Sequence, residues 1–85
     1  MPSASYVRKA IHTADHERLC TLLRWYRVQA GLRQTDVAER LDTPQSFVSK
    51  YEIGERRLDL IELRQICAVL GVPLVEFVRA FDEGE

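Results

Sequence analysis

The chain has little that marks an enzyme, a secreted protein or a membrane protein. Its 85 residues include only two cysteines, Cys20 and Cys67, and neither has a Cys or His partner at a metal-ligand spacing. They read as buried free thiols in a reducing compartment, with a disulfide or a redox role as the other option. No apolar run approaches the ~18–20 residues of a membrane span. Residues 1–10 lack the apolar core of a secretory signal, so the expected location is the cytoplasm. There is no Gly-rich phosphate loop and no nucleophile–base–orienter set. His12 and His16 are four apart, a ligand spacing on a helix, but no third ligand follows them. No enzyme activity, metal or cofactor is therefore expected.

Charge of one sign is also scarce. The formal net charge is −1, so the strongly basic balance of many nucleic-acid-binding domains is missing. The distribution is more informative than the sum. Residues 1–32 carry net +3, residues 33–57 carry zero, and residues 58–85 carry −4. A polyanionic partner would meet the first two thirds of the chain, with the acidic end turned away. Its affinity would rest on a few placed contacts rather than on a broad positive field.

Strand-like alternation is absent as well, and helical spacing recurs in its place. Residues 5–12 carry Tyr6, Val7, Ala10 and Ile11 on one side, and form either a short helix or a docking arm. The first strong helix is expected over residues 15–30, with Leu19, Leu22, Leu23, Tyr26 and Ala30 inward and Gly31 after its end. A short helix over 34–41 places Val37, Ala38 and Leu41 inward. Thr43 is expected to cap the next helix, with Pro44 at its first position and Val48 and Tyr51 inward. Asp59 caps a fourth helix with Leu60, Leu63, Ile66, Cys67 and Leu70 on its core side, and Gly71 follows. The last helix opens at Val72-Pro73 and offers Leu74, Phe77, Val78 and Phe81. The expected fold is all-α: five compact helices, with either a sixth short helix or an arm at the start. The expected organisation is an arm or short helix over 1–14, one domain over 15–82 and a polar tail over 83–85.

Function concentrates in residues 31–58, GLRQTDVAERLDTPQSFVSKYEIGERRL. Two short helices joined by a tight turn make a helix-turn-helix, whose second helix can enter the major groove of DNA. Such a crossing needs a small residue on the first helix, and Ala38 is there. Val37, Leu41, Val48 and Tyr51 have the spacing to lock the two helices together. The polar residues Gln45, Ser46, Ser49 and Lys50 are left on the outward side, either as a reading face or as a solvated one.

On these residues the chain resembles the lambda-repressor-like (Cro-type, xenobiotic-response-element) helix-turn-helix family. The match runs through Leu23, Arg27, Gly31-Leu32, Gln34, Val37-Ala38, Leu41, Gln45-Ser46, Val48-Ser49, Tyr51-Glu52 and Gly54, and continues through Ile66, Leu70-Gly71-Val72 and Phe77. The resemblance implies that Gln34 touches a phosphate and supports Gln45, and that Gln45 pairs with a base. A Gln amide can bind adenine N6/N7 bidentately. It further implies groove contacts from Ser46, Ser49 and Lys50, backbone clamps at Arg56 and Arg57, and an ion pair between Arg27 and Glu52. Thr43, in the turn, is counted among the DNA-facing candidates.

Three positions depart from the family pattern. Asp42 stands where Gly is preferred, Arg33 where Ser or Thr caps, and Phe47 between two groove-facing residues. Phe47 either packs inward beside the fourth helix or touches a thymine methyl. Trp25 and Val28 are apolar where the family is polar. Either the N-terminal segment folds over them, through Tyr6, Val7 or Ile11, or they form a partner or dimer surface. Val75, Val78 and Phe81 cannot all face one core and are further interface candidates. The expected function is that of a transcriptional regulator, a repressor binding an inverted-repeat operator in double-stranded DNA as a homodimer. The alternatives are an antitoxin and a helix-turn-helix used only for protein interaction.

Overall fold

A computed structural model describes residues 13–84. Over these residues the chain forms five helices and no strand: α1 (Ala14–Gln29), α2 (Gln34–Leu41), α3 (Gln45–Glu52), α4 (Leu60–Leu70) and α5 (Leu74–Asp82). The arm or short helix expected over residues 5–12 lies outside the described residues, as does Glu85.

The helices begin where local hydrogen bonds favour it. Thr13 Oγ1 accepts from the His16 backbone N–H at 3.2 Å, and Asp15 and Glu17 place negative charge in the first turn of α1. At α4 a reciprocal capping box forms. Asp59 Oδ1 accepts from the Glu62 N–H at 2.7 Å, and Glu62 Oε1 accepts from the Asp59 N–H at 2.9 Å. At α2 the N-cap is Arg33, which has no oxygen to offer. Its anchor is Asp36, whose carboxylate accepts from the Arg33 backbone N–H at 2.8 Å and from its guanidinium at 3.0 Å. These hydrogen bonds hold the Asp36 carboxyl down at about 2.

The first four helices end alike, with the last orphan carbonyls taken up by N–H groups just past the helix. At the end of α2 the Thr43 N–H donates to Ala38 O at 2.9 Å and the Asp42 N–H to Glu39 O at 3.1 Å. That closure requires a left-handed residue. Glycine supplies it after α1, α3 and α4, whereas Asp42 supplies it here, with φ 58° and ψ 48°. Asp42 is the only non-glycine residue with positive φ among the described residues. The tight turn therefore survives without Gly, because Asp tolerates this region better than most side chains.

The core gathers residues from every helix: Leu23 from α1, Val37 and Ala38 from α2, Val48 and Tyr51 from α3, Ile66, Cys67 and Leu70 from α4, and Phe77 from α5, joined by Val72. Helix α2 packs on α3 and α4, while α1 braces α3 and α5. Ala38, 3% exposed, is the small residue where α2 is crossed. Both cysteines are free and buried, and burial pushes the Cys67 thiol up to about 11.

Four expectations need correction. Thr43 does not cap α3. Pro44 takes the N-cap position in extended conformation (φ −64°, ψ 151°), and Thr43 Oγ1 is buried with no hydrogen-bond partner among the described residues. The proline ring suits either position, so its presence did not settle the boundary to within one residue. Leu60, at the first turn of α4, is 66% exposed rather than inward. Val78 is also exposed, so the face of α5 that meets the core is Leu74 and Phe77, at positions i and i+3, with Phe81 half-buried one turn further on. Ala30 falls past the last turn of α1 and is exposed.

Candidate nucleic-acid interface

Helix α3 buries Val48, Tyr51 and Glu52 and turns Gln45, Ser46 and Lys50 to solvent, with Ser49 half-buried. This division follows from helical spacing: Val48, Tyr51 and Glu52 share one face. Phe47 resolves inward. It packs on the core, meets Tyr51 edge-on at 5.5 Å and lies under the Arg56 guanidinium at 4.8 Å.

Beneath the outward face runs a chain of hydrogen bonds that starts in the interior. Arg27 Nε and Nη2 donate to Glu52 Oε2 and Oε1 at 2.7 and 3.1 Å, with side-chain exposures of 12% and 2%. Arg27 Nη1 also donates to Leu32 O at 3.0 Å, which ties α1 to the start of the motif. The Glu52 carboxylate accepts a third hydrogen bond, at Oε1, from Gln34 Nε2 at 3.0 Å. Gln34 Oε1 in turn accepts from Gln45 Nε2 at 2.6 Å.

The chemistry of this chain fixes the direction of every amide. An ionised carboxylate only accepts, so Gln34 must present its NH2 to Glu52 and its carbonyl to Gln45. Gln45 must then spend one N–H on Gln34. It retains one N–H and its carbonyl oxygen on the exposed face of α3: one donor and one acceptor side by side. Adenine offers the complement in the major groove, an N7 acceptor and an N6 donor.

The remaining candidates divide by what already holds them. Lys50 and Arg57 are exposed cations whose side chains meet no carboxylate among the described residues. Arg56 is engaged. It donates to Glu62 Oε2 at 2.6 Å and to the Arg57 carbonyl at 2.6 Å while stacked on Phe47. Its position braces the loop between α3 and α4 and leaves Arg57 as the freer charge. Thr43 sits behind the turn, facing Phe47 and Arg56 across a small cavity of 260 Å³.

Sequence reasoning missed Asp36 and Glu62. Glu62 was visible as the fourth residue of an Asp-x-x-Glu capping box. Asp36 was hidden because the box normally opens on Ser or Thr, and here Arg33 opens it. The interface candidates separate too. Trp25, Val28, Val75 and Val78 are exposed, whereas Phe81 is half-buried under Arg18, whose guanidinium lies 4.8 Å from its ring. Among the described residues no three His, Cys, Asp or Glu side chains converge on a metal position, and no helix is long and apolar enough to cross a membrane. His16 Nε2 instead meets the Gly54 carbonyl at 3.3 Å.

A capped five-helix domain with a polar, pre-bonded second motif helix defines a helix-turn-helix protein. The comparisons agree. A helix-turn-helix family model matches residues 23–77. An XRE-family like protein from Pseudomonas syringae pv. tomato is 40% identical, covering 91% of this chain and 94% of its own, with a TM-score of 0.81. The restriction-modification controller protein C.Esp1396I, solved as a tetramer with its natural 35-base-pair operator, shares the fold at 21% identity, 84% and 93% coverage and a TM-score of 0.76. The clp gene regulator ClgR from C. glutamicum does so at 21% identity, 84% and 91% coverage and a TM-score of 0.74. No curated protein sequence matches. The chain belongs to the XRE family of helix-turn-helix proteins, a family of DNA-binding transcription regulators rather than enzymes.

Proposed function

We propose that this chain is a cytoplasmic, sequence-specific DNA-binding regulator, a repressor that binds an inverted-repeat operator as a homodimer with α3 in the major groove. The observation that carries this reading is the oriented Gln45 amide, held through Gln34 by the buried Arg27–Glu52 pair. A preset donor–acceptor pair on an exposed helix has no use in packing and a direct use in reading a base edge. Ser46, Ser49 and Lys50 continue the contact along α3. Gln34, Lys50 and Arg57 meet phosphates, with Arg56 setting the loop that carries Arg57. Thr43 supports the turn from behind. The controller protein of the same fold, solved as a tetramer with operator DNA, supports a multimer on DNA, and exposed Val75 and Val78 on α5 are the candidate contacts between copies. The free reading face favours this function over an antitoxin or a pure protein-interaction module working through Trp25 and Val28, although those two residues are exposed.

The test is a filter-binding series. Gln45→Ala should relax preference at one base position, at a cost of about 1–3 kcal/mol on the preferred sequence. Arg57→Ala should weaken all sequences alike and lower the salt slope by about one. The reverse pattern would refute the assignment.

A further inference from the structure

Away from α3, a groove of 690 Å³ runs between α1 and α5. Its walls include Leu22, Trp25, Tyr26 and Ala80, with Glu17 and Glu83 at its edges. Trp25 stands 52% exposed in it, edge-on to Tyr26 at 5.0 Å. An indole left this open is costly, since aromatic side chains contribute most when covered. The groove is also electrically unbalanced. Arg18, its one lining cation, is consumed by Asp15, the Phe81 carbonyl and the Phe81 ring. Glu17 and Glu83 have no ion-pair partner among the described residues.

We propose that residues 5–12 of the same chain seat in this groove as an intramolecular strap. Three observations select that occupant. The segment joins the fold at Thr13, and Ala14, the first residue of α1, itself lines the groove. From there Trp25 lies eleven residues along the helix, about 16 Å at 1.5 Å per residue. Tyr6 lies eight residues before Ala14, a span of ~12 Å as a helix, which brings it level with Leu22, and ~27 Å extended, which carries it to Trp25. The apolar residues Tyr6, Val7, Ala10 and Ile11 recur at helical spacing, giving a stripe to lay on Trp25, Tyr26 and Leu22. Residues 1–12 contain Arg8 and Lys9 and no acidic residue, the complement of unpaired Glu17 and Glu83. Running back along α1, the strap covers the indole and places its two cations at the carboxylate-bearing edges. This surface is separate from the reading face of α3, so the strap stands or falls independently of DNA binding.

Trp25 is the only tryptophan, so its fluorescence reports on the groove alone. The measurement compares the full chain with the full-length double variant Tyr6→Ser, Ile11→Ser, and with Arg8→Glu, Lys9→Glu, by emission wavelength and acrylamide quenching across a dilution series. The core gathered from the described residues includes neither pair, and far-UV circular dichroism confirms the fold in each case. The expected result is a concentration-independent protection in the native chain. Its loss in the apolar variant should shift emission to the red and raise quenching about twofold, as for an indole going from covered to half exposed; the charge-reversed variant should lose part of the protection. Emission and quenching that are the same in the native chain and both variants would overturn the proposal. Protection that fades on dilution would also overturn it, by assigning the groove to a second copy.

Discussion

Glu52 is a carboxylate with 2% of its side chain exposed, taking hydrogen bonds from Arg27 and Gln34. Such a group tolerates burial only while every partner is present. Arg27→Met should therefore cost about 3–5 kcal/mol in urea unfolding, because it strands a buried charge. The double variant Arg27→Met, Glu52→Leu should recover much of that loss, since removing both charges leaves nothing uncompensated. Additive losses in the double variant would mean that the two residues do not act as a unit. Most of this chain was legible before the structure: Gln34, Gln45, Arg27 and Glu52 were each singled out by resemblance and position. The resemblance also implied two of the links, Arg27 to Glu52 and Gln34 to Gln45. The Gln34–Glu52 hydrogen bond that joins them into one chain, and with it the direction of each amide, was not legible, because it depends on side chains eighteen residues apart. The engagement of Arg56 by Glu62 and Phe47 was hidden for the same reason. It leaves Arg57 as the freer of the two adjacent arginines.

Among the elements, α2 and α3 are only eight residues long, shorter than the ~12–15 at which isolated helices persist in water. Their stability lies in packing and in their ends. At the turn between them Asp42 holds a left-handed backbone that Gly adopts freely. Asp42→Gly should therefore stabilise the fold by about 0.5–1 kcal/mol in urea unfolding, strain relief outweighing the entropy of Gly. A destabilised variant would show that the Asp side chain itself holds the turn. At the start of α2, Asp36 titrates at about 2 when folded, below its ordinary 3.8. A depressed carboxylate adds stability that is present above its unfolded value and lost as pH falls through the folded one. The stability advantage of the native chain over Asp36→Asn should thus be full above about pH 4 and shrink toward about pH 2. An advantage that stayed constant over that range would remove the ion pair from the account. Boundaries were read well where glycine or Asp marked them, as at Gly31, Gly71 and Asp59. They were misread by one residue at Thr43-Pro44, where both residues fit either of two positions. Leu60 was misplaced because the first turn of a helix projects past the core, a fact that periodicity does not encode.

The molecule as a whole divides its labours along its length. The acidic excess of residues 58–85 and the neutral motif were both plain from the sequence, and together they demand that recognition come from placement rather than from field strength. The structure ties the exposed polar face of α3 to the interior and sets a separate apolar groove between α1 and α5. The central claim is that α3 reads a particular base sequence. It is tested most directly by selecting bound DNA from a random pool with the native chain and with Gln45→Ala, at fixed salt. The account predicts that the native chain enriches an inverted repeat with half-sites about one helical turn apart, and that Gln45→Ala loses preference at one position of each half-site. A native chain that enriched no sequence, or a Gln45→Ala chain that enriched the same one with undiminished preference, would contradict it.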